Sequence, residues 1–222
     1  MRRCLVLALA LLAASCGGSP APVALDPGAL VSGAVAAMQG VASAHFEMTR
    51  AGAPVTVEGL VFDGAVGRYA APAAAEAVLR MHVGDLAVEL GTVSVGEHTW
   101  LTDPLTGRWH ELRPGTGFNP AVLFDPADGW VALLTDLAGV TVVSAGGDTH
   151  RLAASVPAAR VEALTAGLAA GQGVPMTLWL DAATLHIVRL EFSTISAEGQ
   201  SDWVIVMSRF DEPVQIDPPA AG

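Results

Sequence analysis

Chemistry in this chain would have to come from its histidines, its acids or its cysteines. The six histidines are His45, His82, His98, His110, His150 and His186. None forms a pair at the helical spacing that puts two metal ligands on one face. Most alternate with apolar residues, as solvent-facing strand residues do. Asp125 and Asp128 resemble a carboxylate pair, but Asp125 stands before Pro126. An N-cap and a first-turn acid, both interacting with a helix dipole, explain them better. The sequence has no G-x-S-x-G elbow, no H-E-x-x-H, no C-x-x-C and no P-loop. No nucleophile, base and oxyanion donor assemble. The expectation is a protein that is not an enzyme, with no metal and no cofactor.

The cysteines point elsewhere. Arg2 and Arg3 precede an unbroken apolar run over residues 5–14, which is followed by Ser15, Cys16, Gly17, Gly18, Ser19 and Pro20. The run is shorter than the about 20 residues a spanning helix needs, and it fits a secretory signal. Small residues before a Cys, then a flexible tether, resemble a bacterial lipobox. That resemblance implies that Cys16 receives a diacylglyceryl group and becomes the new N-terminus. Each buried methylene adds about 0.8 kcal/mol, so several chains hold firmly where one would not. Cys4 would be removed, leaving Cys16 alone, so the exported domain would be stable through its core without a disulfide. The expected organisation is a signal peptide over 1–15, the lipidated Cys and linker over 16–25, and one domain over 26–222.

Charge excludes several partners. The 222 residues carry 22 Asp and Glu against 11 basic residues, all of them Arg, for a net charge of −11. No basic stripe is available to neutralise nucleic-acid phosphates or to bind anionic headgroups. Losing Arg2 and Arg3 with the signal makes the chain more acidic still. An acyl anchor, not charge, would hold it at the outer face of the plasma membrane.

The elements that must position any site follow from periodicity. Asp26-Pro27 marks a helix start, Val31, Val35 and Met38 keep helical spacing, and Gly40 stops it. The period then becomes two over 44–49, 55–58, 79–83 and 86–90, with Gly84-Asp85 turning one strand into the next. A strand pair flanks Gly96-Glu97, and a further strand covers 109–112. Asn119-Pro120 and Asp125-Pro126 are two cap-plus-proline starts, and Trp130, Leu133, Leu134 and Leu137 form one apolar stripe before Gly139. Strands over 140–144 and 150–155 follow. Pro157 then opens a helix with Val161, Leu164 and Leu168 on one face. Strands over 176–180, 186–192 and 203–210 close the chain. Many antiparallel strands with few helices predict an α+β domain whose helices cover the apolar face of the sheet.

Alternation assigns Phe46, Leu79, Met81, Val88, Leu90, Trp203, Ile205 and Met207 inward. It assigns His45, Glu47, Arg80, His82 and Glu89 outward, where charge stays solvated. Residues 55–62 are ambiguous, because Leu60 and Phe62 change parity across Gly59. From sequence a filled core and a ligand cavity look alike.

Phe118-Asn119-Pro120-Ala121-Val122-Leu123-Phe124-Asp125-Pro126, followed by Gly129 and Leu133-Leu134, resembles the central segment of the actinobacterial LppX/LprA/LprF/LprG lipoproteins. Ser43-Ala44-His45-Phe46, Thr177-Leu178-Trp179-Leu180-Asp181 and residues 207–214 resemble that family too, in order and behind a lipobox. The resemblance implies an antiparallel half-barrel whose concave apolar face is closed by helices around a lipid cavity. It implies a carrier of acylated lipid or glycolipid across the periplasm toward the outer mycomembrane, with a membrane lipid transporter as a further partner. Phe118, Leu123, Phe124, Trp130, Leu134 and Leu137 are then expected to join the inward strand residues as cavity wall. The segment 119–137 would be its least regular part. Two alternatives stay open: an accessory protein of the cell envelope with a filled core, and a lipid-processing enzyme.

Overall fold

The computed structural model describes residues 25–114, 116, 118–169 and 171–220. The expected signal peptide and Cys16 lie outside the described residues. Twelve strands form one antiparallel sheet: β1 (Ser43–Gly52), β2 (Thr56–Val57), β3 (Leu60–Ala70), β4 (Ala74–Val83), β5 (Leu86–Val95), β6 (His98–Thr102), β7 (Trp109–Glu111), β8 (Ala138–Gly146), β9 (Thr149–Val156), β10 (Val174–Asp181), β11 (Ile187–Ser196) and β12 (Gly199–Ser208). Their order is β7-β6-β5-β4-β3-β1-β12-β11-β10-β9-β8, with β2 paired only to β3. Consecutive strands are neighbours from β3 to β7 and from β8 to β12, and β1 joins the two series at the centre. There β1 meets β12, with Phe46 opposite Met207.

Among the described residues three α-helices, α1 (Pro27–Gln39), α2 (Trp130–Thr135) and α3 (Ala158–Leu164), and a 3-10 helix over Pro120–Phe124 cover the concave face. Helix α1 starts where its sequence dictates: Pro27 sits at the first position and the Asp26 carboxylate accepts from Gly28 N at 2.9 Å. Leu30, Ala34 and Met38, four residues apart, are its buried stripe. β7 and β8 are opposite edges of the sheet. The chain between them must therefore cross the whole concave face, and it carries the 3-10 helix and α2 as it goes. The result is an open half-barrel of α+β type with helices on its concave side.

Alternation decides the two faces. Phe46, Met48, Leu79, Met81, Leu90, Trp203, Ile205 and Met207 are buried, while Glu47, Arg80 and Glu89 are exposed. On the wet face Arg80 pairs with Glu47 at 3.1 Å and His82 meets Asp63 at 2.7 Å. Arg151 and Arg189 lie 5.0 and 5.6 Å from the Trp179 ring, so an outward indole is covered by cations. The ambiguity at Leu60 and Phe62 is resolved by the turn at Glu58 and Gly59, φ 48° and 84°, which separates β2 from β3. A register shift follows between Phe62 and Gly64. It lets Phe62 and Ala65, of opposite parity, both face inward.

Two helical segments differ from the expectation. Residues 119–137 form two short pieces, because the Gly129 backbone lies against the Leu123 carbonyl, where no side chain would fit. Asp125 caps a turn, accepting from Ala127 N at 2.7 Å, and α2 starts only at Trp130. Helix α3 stops at Leu164 because Ala166 and Gly167 adopt left-handed conformations, φ 49° and 83°. Leu168 is thereby carried onto a turn, off the helical stripe expected for it.

Much of the core is filled. Trp203 lies between Phe62 and Phe192, with ring centroids 6.1 and 6.0 Å away, and its indole N–H donates to Thr194 Oγ1 at 2.9 Å. Phe46 occupies the space above Gly67, which a Cβ at that position would fill. Tyr69 stacks on Phe124 at 3.9 Å and its hydroxyl donates to Pro72 O. Burial, with a smaller contribution from the Asp125 charge, raises the Tyr69 pKa and keeps it a donor.

Candidate functional site

Packing is incomplete at one end of the concave face, where a hollow of about 600 Å³ opens. Its floor is made by strand residues that alternation turns inward: Leu60 and Phe62 from β3, Leu79 and Met81 from β4, Leu90 from β5 and Leu101 from β6. Leu112, Thr116 and Phe118 form one wall. That wall is pinned to the sheet, since Leu112 N donates to Thr99 O at 2.8 Å and Thr92 Oγ1 donates to Phe118 O at 3.0 Å. The roof is the turn after α3, with Ala166, Gly167 and Leu168. Thr165, fully buried, holds that turn: its hydroxyl donates to Val161 O at 2.9 Å and accepts from Ala169 N at 3.0 Å. Thr56, Val57 and Glu58, by the β2–β3 turn, form the lip.

A second hollow of about 460 Å³ adjoins the first and shares Thr116, Ala166 and Gly167 with it. Its character differs. Glu97, Asn119, Asp128 and Glu162 line it, where the first hollow has Glu58 as its one charged lining residue. Asp128 is paired with Arg160 at 3.2 Å, and Arg160 also holds Asp136 at 2.7 Å. Glu58, Glu97 and Glu162 have no basic partner among the described residues. Among the described residues no three His, Cys, Asp or Glu converge as a metal site. The arrangement is an apolar chamber beside a smaller, polar and acidic one. It has directional groups at the rim and none on the floor.

The structure brings together part of the set expected from sequence. Leu79, Met81, Leu90 and Phe118 line the apolar hollow. Phe46, Leu123, Trp130, Leu134, Trp203, Ile205 and Met207 are buried in the filled core away from it, and Phe124 stacks on Tyr69 there. Val88 and Leu137 are half-buried against the core. Sequence reasoning did not place Leu101, Leu112 and Leu168 at the hollow. Periodicity assigned Leu112 to a strand and Leu168 to a helical stripe, but β7 ends at Glu111 and α3 at Leu164, so both residues lie just beyond those elements. For Leu60 and Phe62 the turn at Glu58 and Gly59 hid the inward parity.

The LppX_LprAFG lipoprotein family matches residues 26–216 of the chain. Among solved structures the chain is similar to LprF from Mycobacterium bovis, with 20% identity, a TM-score of 0.66, 92% of this chain and 100% of that one covered. It is also similar to LppX from Mycobacterium tuberculosis, with 20% identity, a TM-score of 0.59, 87% of this chain and 100% of that one covered. Both likenesses concern the fold. No curated protein matches the chain.

Proposed function

The chain belongs to the LppX/LprA/LprF/LprG lipoprotein family, and on that premise we propose that it is an exported lipid carrier anchored at the outer face of the plasma membrane. Residues 1–15 are its signal peptide, 16–25 the acylated Cys16 and tether, and 26–222 the lipid-binding domain. It takes acylated lipid or glycolipid into the apolar hollow and moves it across the periplasm toward the outer mycomembrane, exchanging it with a membrane lipid transporter.

The observation that supports this reading is the hollow of about 600 Å³ with its apolar floor. Protein interiors pack as densely as organic crystals, so an accessory protein with a filled core would have no such volume. A chain exposed to water loses about 0.8 kcal/mol per methylene. A carrier must shield that chain and still release it, and apolar walls without directional bonds do both.

Native mass spectrometry of protein purified from its own host tests the reading. Co-purifying lipid is expected, and its loss in Leu79→Trp, which fills the chamber, locates it. Protein that carries no lipid from any membrane fraction would overturn the proposal. The anchor is tested separately: Cys16→Ala should move the protein from membranes to the soluble exported fraction, and unchanged membrane association would refute it.

A further inference from the structure

The apolar floor of the hollow does not stop at its edge. Alternation puts Leu79, Met81 and Val83 on one face of β4, and Leu90, Val88 and Leu86 on the same face of β5. Across the ladder Leu79 stands opposite Leu90, Met81 opposite Val88 and Val83 opposite Leu86. Val61 pairs with His82, which brings Leu60 level with Val83, and Val57 pairs with Leu60. This part of the concave face is therefore tiled in rows, each about 7 Å further along the strands. Exposure jumps at the last row. Leu79 and Leu90 are 6% and 8% exposed, Met81 is buried and Val88 half-buried, whereas Val83 and Leu86 are 47% and 65% exposed. Val57 and Leu60 line the hollow, and Val83 and Leu86 carry the same apolar surface out to the β4–β5 turn.

Single apolar residues on a surface need no explanation, but a row joined to an apolar hollow does. A protein partner fits it poorly. A stable protein interface uses about 20–30 residues a side, and this row has Val57, Leu60, Val83 and Leu86. A second copy fits no better. A two-fold contact through the row sets Glu58 and Asp85, exposed carboxylates at the turns that bound it, against their own copies. A lipid surface needs neither wide area nor matching shape. A few side chains enter the acyl layer while the polar turns stay among the headgroups. Resting on the lipid-carrier reading, we propose that the row of Val57, Leu60, Val83 and Leu86 is the edge by which the protein docks on a lipid surface, and the path along which an acyl chain passes between that surface and the hollow without crossing water. Neither bounding turn carries a base, so docking is by apolar insertion and not by charge.

The test follows a pyrene-labelled monoacylglycerol between phosphatidylcholine vesicles, carried by the full chain with Cys16→Ala so that no anchor holds it to one vesicle. Transfer should speed up as acceptor vesicles are added, and should change little with salt. Val83→Asp with Leu86→Asp should slow it about tenfold, and Leu86→Asp alone severalfold. Leu86→Trp, which keeps a side chain suited to the membrane interface, should stay near the unaltered rate. Val78→Asp, at a position 42% exposed on the wet face of β4, should not slow it. All variants should still bind the probe from submicellar solution, read by native mass spectrometry. Unchanged transfer in the double variant, equal slowing by Val78→Asp, or a rate indifferent to acceptor vesicles would overturn the docking edge. So would a double variant that transfers normally between bare vesicles yet loses its lipid in the host, because the row then faces a protein partner. Failure of every form to take up the probe from solution would instead bring down the carrier reading, and this proposal with it.

Discussion

On either side of the seam between β1 and β12 the sheet has two arms built from similar residues, yet the apolar hollow of about 600 Å³ lies over only one of them. In the arm formed by β9 to β12, Leu152, Leu178, Leu180, Leu190 and Trp203 are fully buried, and no residue of these strands lines that hollow. In the arm formed by β3 to β6, Leu79, Met81 and Leu90 point the same way and border open space. The strands alternate alike in both, so they do not make the difference. What differs is the cover. Helix α1 reaches the filled arm, where Gly33 lies against Leu185. The hollow is covered by Leu112, Thr116 and Phe118, outside any helix, and by the turn Ala166–Leu168. A helix presents an interdigitating side chain on every turn; a loop held by a few backbone hydrogen bonds does not. Cavity volume here is set by what lies over the sheet.

The largest test of that contrast is truncation. Trp203→Ala should cost about 3–5 kcal/mol, because the filled arm cannot collapse onto the void it leaves. Leu79→Ala should sit at or below the low end of the leucine range, about 2 kcal/mol, since its neighbours already face open space. Denaturant midpoints compare the two, and equal losses per atom removed would break the distinction between the arms.

Enlargement is the next. Leu134→Trp, in the filled core, should overpack and cost about 1–3 kcal/mol without changing lipid occupancy. Leu79→Trp should leave the midpoint near that of the wild type while lipid occupancy falls. If both variants lose stability alike, the hollow is not usable volume.

Smaller still is the effect expected at the turn that roofs the hollow. Thr165→Ala leaves the buried Ala169 N–H without its acceptor, a loss of about 1 kcal/mol or slightly more. Hydrogen exchange should show the increase in opening confined to residues around 165–169, with β10 to β12 unaffected. Uniform acceleration across the sheet would mean that roof and filled arm open together.

The weakest prediction concerns pH. Asp181 joins β10 to β11 and accepts from Thr184 N at 2.8 Å, Thr184 Oγ1 at 3.0 Å and Ala183 N at 3.0 Å. Thr184's backbone and hydroxyl bonds chiefly depress its pKa. A depressed carboxylate contributes stability that is complete above its unfolded pKa of about 3.9 and lost as pH falls through the lower folded value. Asp181→Asn should therefore flatten the acid limb of stability below about pH 4 and leave neutral stability nearly unchanged. The effect is small because the group is exposed. An unaltered acid limb would show that these bonds persist in the unfolded chain or do not matter.

The strands were legible in the sequence because alternation reports which side of a sheet a residue takes, and the face pattern at Phe46, Glu47, Arg80 and Met81 follows it directly. Helix α1 was legible through Asp26 and Pro27. The division of the concave face into filled and hollow regions was not. Leu79 and Leu178 are the same residue in the same pattern, and only the elements above them differ. Leu112 and Leu168 continue the spacing of β7 and α3 but lie past the ends of both, so that spacing does not report their place at the hollow, and the Gly129 contact with Leu123 is a tertiary event that no local spacing encodes.

The central pairing of β1 with β12 also sets an order of events during synthesis. Every other ladder joins strands close in the chain, so each can close soon after its residues emerge. β1 cannot. Its partner edge, from His45 to Gly52, has no strand to pair with until residues 201–208 have been made. For most of the time the polypeptide takes to appear, the middle of the future sheet is a bare strand edge, the kind of surface that pairs with other chains. The nascent chain is therefore most vulnerable at its own centre, and the last strand to be translated is the one that removes the hazard.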